Sequence, residues 1–218
     1  MKRLFTLLAI LLLAGAARGQ IPNPVSAVAP KIKFGIHGNF TLSNLPGPQI
    51  TGAKTIADAY GTGWGGGAHI DLSFLMFSFR LSGDYLTYSL DVDKFRKSYE
   101  ETFGSAVSQL NIEGGGLHIV SVSANGKLNL APLPIVTPYV TGGIGLAWLT
   151  LDETKTSIAG VAGRTFPSGS QSGKTTFNVG AGADISLGAD LFVEVRYVWI
   201  MTDGENSTYM PVTVGVTF

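Results

Sequence analysis

The chain has no cysteine, few charges and, past its first residues, no long apolar run, and each shortage narrows what it can be. Without cysteine there are no disulfides and no lipid-modified amino-terminal residue. Charged residues make up 14% of the 218, against the roughly 25% usual in soluble domains. A membrane protein is indicated, yet no run beyond the first twenty or so residues reaches the ~20 apolar residues of a membrane helix. Hydrocarbon offers no partner to a free backbone N–H or C=O, so a membrane protein without helices must be a closed β-barrel. Positive charge is not in surplus either. The 15 Lys and Arg match the 15 Asp and Glu, and losing Lys2, Arg3 and Arg18 with a leader leaves the rest 3 negative, which argues against nucleic acid as a partner.

What is present begins with Met1-Lys2-Arg3, the apolar run Leu4 to Leu13 and the small-residue stretch Ala14 to Gly19. This is the layout of a cleavable secretory signal over residues 1–19, too short to span a bilayer. Cleavage is expected after Gly19, with Ala16 the alternative. Residues 20–30 (QIPNPVSAVAP) hold three prolines and no periodicity, and form an extended periplasmic lead-in to a barrel domain at 31–218.

The last ten residues carry the strongest pattern. Met210, Val212, Val214, Val216 and Phe218 alternate with Pro211, Thr213, Gly215 and Thr217, and period two means a strand. The same alternation recurs upstream. A first strand from Lys31 to Ser43 sets Ile32, Phe34, Ile36, Phe40 and Leu42 against Lys33, His37 and Asn39. The second, Thr62 to Phe74, sets Trp64, Ile70 and Leu72 against His69 and Asp71, and the third, about Met76 to Leu90, sets Phe77, Phe79 and Tyr85 against Arg80 and Asp84. The join at Leu75-Met76 lacks ordinary hairpin residues; the change of apolar parity across it marks the turn. A fourth strand lies within Leu110 to Leu130, where Gly114-Gly115-Gly116 suggests a bulge. The fifth runs from Thr137 to Leu151, the sixth from Thr175 to Ser186 and the seventh from Leu191 to Trp199. Connections alternate long (44–61, 91–108, 152–174, 202–208) with short (131–134, 187–190), as an up-and-down barrel requires.

The terminal Phe218 with alternating apolar residues behind it, the PYVTGGIG run at 138–145 and NVGAGADI at 178–185 resemble the small outer-membrane β-barrel superfamily, the OmpA and OmpX type. The resemblance implies an all-β fold, an eight-stranded antiparallel up-and-down transmembrane β-barrel preceded by a cleavable signal peptide. It also implies residence in the outer membrane among lipid and lipopolysaccharide, and folding by the barrel assembly machinery through a signal made of Met210, Val212, Val214, Val216 and Phe218. Nothing follows Phe218, so no peptidoglycan-binding domain is expected.

With the amino terminus inside, Trp64, Trp148 and Trp199 fall at the external rim with Tyr85 and Tyr88. Phe34, Phe74, Phe77 and Phe218 fall at the internal one, as two aromatic girdles. The polar rows then fill the lumen. Lys33, His37, His69, Asp71 and Arg80 come from the first three strands, together with Asp84; Glu113, Lys127, Asp184, Glu194 and Arg196 come from the rest. Buried charges persist when paired, so Arg80 and Arg196 are expected to bind several of Asp71, Asp84, Asp184 and Glu194 in a barrel whose width side chains fill. His118, in an apolar row, is expected either to turn inward at a glycine bulge or to lie near a rim.

Chemistry is harder to find. Gly61-Thr62-Gly63-Trp64-Gly65-Gly66 matches GxGxxG, but a period-two strand follows where a dinucleotide site needs a helix. Ser168 to Thr175 lacks the first glycine of a phosphate loop. Outer-membrane lipid A deacylases carry a His-x-Ser pair; here Asn39, Asp71 and Val120 stand two positions after the histidines. His37 and His69 alone are an incomplete metal shell. The expectation is therefore a non-enzymatic barrel without cofactor or metal, structural or displaying four loops for adhesion or for an extracellular ligand. A narrow channel is the alternative, and a lipid-modifying enzyme the distant one.

Overall fold

The computed structural model describes residues 30–44, 60–74, 76–94, 96, 110–130, 135–158, 161–201 and 207–218. The signal segment 1–19, the lead-in up to 29 and most of the first, second and last external connections lie outside these residues. Among the described residues there are eleven strands, in chain order β1 (Lys31–Asn44), β2 (Gly63–Phe74), β3 (Phe77–Tyr88), β4 (Leu110–Gly114), β5 (Leu117–Asn129), β6 (Val136–Leu151), β7 (Thr154–Ile158), β8 (Val161–Phe166), β9 (Gly169–Ser186), β10 (Asp190–Ile200) and β11 (Ser207–Thr217). Eight of them close into a barrel in the order β1-β11-β10-β9-β6-β5-β3-β2. Every neighbouring pair in it is antiparallel, and β1 meets β11 from Gly35↔Thr217 to Asn44↔Thr208. The chain's last strand therefore closes on its first, which leaves no edge unpaired.

Period two decides which way each side chain points. Val214 is 60% exposed while its neighbour Thr213 is 1% exposed. Phe34, Phe40, Ile144 and Val179 join Val214 on the outside, and Asn39, Thr41, Asn125 and Asn178 are buried within. Exposed apolar side chains cover the barrel wall, from Ile32 on β1 to Val214 on β11, far more than a soluble monomer leaves to water. A soluble barrel with an oily pocket would show the opposite arrangement. At the short turns, Phe74↔Phe77 leaves two residues between β2 and β3, where the parity change marks the join.

Two strand boundaries differ from the sequence reading. The stretch Leu110 to Leu130 is two strands, because Gly114 and Gly115 adopt φ of +82° and +77°, a conformation that breaks a strand and that glycine reaches without strain. Only β5 enters the barrel; β4 joins a separate sheet of order β4-β7-β8 beyond the external end. The segment 152–174, expected as a loop, supplies β7, β8 and the first residues of β9, which pair with the end of β6 through Leu151↔Gly169. Ile112 anchors this outer sheet by packing against Leu90 and Val92. The sequences of its other two strands, TKTSI and VAGRTF, carry little apolar alternation, so the period-two signal of a strand is weak there.

Candidate functional site

Among the described residues most buried ionisable side chains lie in the lumen, in layers. At the internal rim Lys33 pairs with Asp190. Just above, Lys127 Nζ donates to both oxygens of Asp184, at 2.8 and 2.7 Å, and lies 3.8 Å over the Tyr139 ring. Arg80 grips Asp71 with two bonds, Nε to Oδ1 and Nη2 to Oδ2, each 2.7 Å, across the register pair Asp71↔Arg80. A two-pronged guanidinium bond of this kind is the strongest form of a buried ion pair. Glu194 lies between both arginines: Arg80 Nη1 is 3.9 Å from it and Arg196 Nε is 3.0 Å, the latter close in charge but not aligned as a hydrogen bond. Tyr139 donates to Glu194 at 3.0 Å, and the Phe192 ring backs the Arg80 guanidinium at 4.3 Å.

Of the four carboxylates expected on the arginines, Asp84 and Asp184 have other partners. Asp184 belongs to Lys127, and Asp84 Oδ1 is bound by His37 Nε2 at 2.6 Å and Asn39 Nδ2 at 2.7 Å. His37 and His69 face one another through their Nδ1 atoms at 3.2 Å. Both rings fit because the facing positions are glycines: a Cβ at Gly67 would stand 2.7 Å from His37 Nε2, and one at Gly35 would overlap His69.

Toward the external end the filling changes kind. Leu86, Tyr88, Ile119, Val198, Ile200 and Tyr209 form a buried apolar cluster inside the barrel, capped by Tyr60. Burial first, then Asp152, pushes the Tyr60 phenol up to about 12. The sequence reading made the lumen polar throughout and put Tyr88 in the outer girdle; Tyr88 is 1% exposed and points inward. The signal was there in Tyr85-Leu86 and Val198-Trp199-Ile200, where apolar residues occupy both rows at once. Between the two fillings lies a cavity of about 20 Å³, bordered by Asn39, Asp84, Ser121, Asn178 and Arg196, room for about one water.

A family model described as "Outer membrane protein beta-barrel domain" matches residues 5–218. The chain belongs to that family. It is an outer-membrane barrel closed by eight strands. Similar solved structures include Neisserial surface protein A, at 14% identity over 85% of this chain and 94% of that one with a TM-score of 0.47. The N-terminal β-barrel domain of Pseudomonas aeruginosa OprF is 14% identical over 87% and 100%, TM-score 0.43. Ail of Yersinia pestis is 14% identical over 87% and 97%, TM-score 0.40. The comparison with curated proteins returned no match.

For an outer-membrane barrel the two ends are distinct: long connections and the β4-β7-β8 sheet mark the external one. Trp64 opens β2 there, 66% exposed, and Trp148 and Trp199 stand near the ends of β6 and β10. Trp199 packs edge-on to Tyr197, ring centres 4.5 Å apart. Phe34, Phe74, Phe77 and Phe218 face outward near the internal end. Glu113, expected in the lumen, is exposed on β4 opposite Lys155, because the glycine break carries that strand out of the barrel. His118 sits at the external rim on the lipid side. Its Nδ1 is 2.8 Å from the Tyr85 hydroxyl and its Nε2 is 3.0 Å from Asp152, so the rim position and not an inward bulge accounts for it. Among the described residues no cluster of three or more His, Asp and Glu side chains is arranged to hold a metal ion.

Proposed function

We propose that this outer-membrane barrel is a non-enzymatic surface protein, closed to solutes, that stiffens the membrane and offers its external segments to an extracellular ligand. The observation that carries the reading is the double filling of the lumen among the described residues, ion pairs at one end and an apolar cluster at the other, with a cavity of about 20 Å³ between them. The β4-β7-β8 sheet, standing clear of the barrel wall, supports a role in external contact. Lipid and lipopolysaccharide surround the apolar wall in this reading, and the barrel assembly machinery engages β11 with its terminal Phe218. Planar-bilayer conductance tests closure. The wild-type protein is expected to be silent and Arg80→Glu, which sets a third carboxylate beside Asp71 and Glu194, to conduct. Steady conductance of the wild type would favour the narrow-channel reading instead.

A further inference from the structure

The cavity of about 20 Å³ between the ionic and apolar fillings lies wholly in the interior, since no residue that borders it is more than 8% exposed. Two of those residues are short of partners. Asn178, 3% exposed, has no hydrogen-bond partner for its Oδ1 among the described residues. Arg196 Nε has none either, because Glu194 Oε1 stands 3.0 Å away without the alignment of a bond. Folded proteins leave few buried polar atoms unpaired.

The two side chains are neighbours by construction. Arg196 stands opposite Gly180, and a Cβ on Gly180 would come within 2.7 Å of Arg196 Cγ. The arginine stem therefore crosses bare backbone of β9, one lumen-facing position away from Asn178. The closing strand adds a third shortage at the same height. β10 and β11 pair as far as Val195↔Val212 and resume at Val198↔Tyr209. Pro211 lies in that gap, borders the cavity and has no N–H to give to a ladder.

We propose that the cavity is a binding site for a single water molecule, which donates to Asn178 Oδ1 and to Asp84 and accepts from the Arg196 guanidinium. The water joins β3, β9 and β10 beside the gap at Pro211. Size and charge together select this ligand. A space of about 20 Å³ holds one molecule of that kind. Asp84 and Arg196 are the only charged side chains at the border among the described residues, so a cation would meet Arg196 and an anion would meet Asp84. An apolar occupant would leave Asn178 and Arg196 unpaired at a cost. Water alone both donates and accepts. His37 and Asn39 both bind Asp84 at Oδ1, and the water adds to that set without displacing either. It also links Arg196 to Asp84, the carboxylate that no arginine holds directly.

A crystal structure of the whole protein grown in a lipid mesophase, at a resolution that places single waters, reads the site. One peak is expected at about 2.7–3.2 Å from both Asn178 Oδ1 and an Arg196 nitrogen. A cavity without density, or a peak that touches neither group, would overturn the proposal. Soaks in bromide and in a thallous salt separate water from ions, and an anomalous signal at the site from either would be equally fatal. The variant Asn178→Leu removes the acceptor and fills the space. It is expected to lose the peak and to raise the unfolding constant in urea about tenfold, because Arg196 keeps an unmet donor. A peak that persists in this variant on Arg196 and Asp84 contradicts the part given to Asn178. If Asn178→Leu does not fold, the wild-type density and the two soaks decide.

Discussion

In the half of the lumen nearer the short turns, Arg80, Asp71, Glu194, Lys127 and Asp184 each meet a named partner at a fixed distance. In the third nearer the long connections, Leu86, Tyr88, Ile119, Val198 and Ile200 meet one another without direction. Both exclude water, but they fail differently. An ion pair loses its countercharge all at once, whereas an apolar cluster loses area by degrees. The comparison also separates duties. The ionic half fixes which strands stand opposite which, because Asp71 finds Arg80 only in one register. The apolar end closes the lumen beneath external segments whose sequences have no part in that register.

The largest break in the comparison is Arg80→Ala. Leaving Asp71 and Glu194 buried beside an empty site is expected to cost about 3–5 kcal/mol, read by urea unfolding in vesicles. Exchanging the pair together, Arg80→Met with Asp71→Leu, is expected to cost less than Arg80→Ala alone, since no orphan carboxylate remains at Asp71; a larger loss in the double variant would show that the ionic half does more than balance charge. Leu86→Ala probes the other end. A cavity in the apolar cluster is expected to cost about 3 kcal/mol while leaving the bilayer silent, because the ion pairs still close the barrel. Smallest is Lys155→Ala on β7, where the exposed pair with Glu153 is worth within about 0.5 kcal/mol. A large global loss there would mean that the outer sheet supports the barrel.

How much of this the sequence discloses follows from where each face points. Strands facing lipid on one side and a packed lumen on the other must alternate, so the barrel from Lys31 to Phe218 is legible in rows such as Met210, Val212, Val214 and Val216. The outer sheet was illegible because Thr154 to Ile158 has no apolar stripe in its sequence; its place is set by ladder pairing with β4 and β8. Glu113 was misplaced because a strand pattern does not say where its chain bends, and Gly114 and Gly115 bend it out of the barrel. Most of the ionisable lumen set could be listed from alternation, without Asp190, which the sequence reading left in a turn, but its pairing could not. Two lysines, two arginines and five carboxylates allow many matches, and choosing Lys127 for Asp184 or His37 for Asp84 takes the register of strands far apart in sequence.

The outward direction of the apolar rows supports every other statement, and a cysteine-free chain makes it directly measurable. Single cysteines introduced in turn from Val212→Cys to Thr217→Cys, spin-labelled in nanodiscs, report access to oxygen dissolved in lipid. Labels at residues 212, 214 and 216 are expected to be lipid-exposed and those at 213 and 217 to be screened, in strict alternation. The reverse alternation, or uniform access to water-soluble relaxers along the strand, would contradict an inside-out barrel.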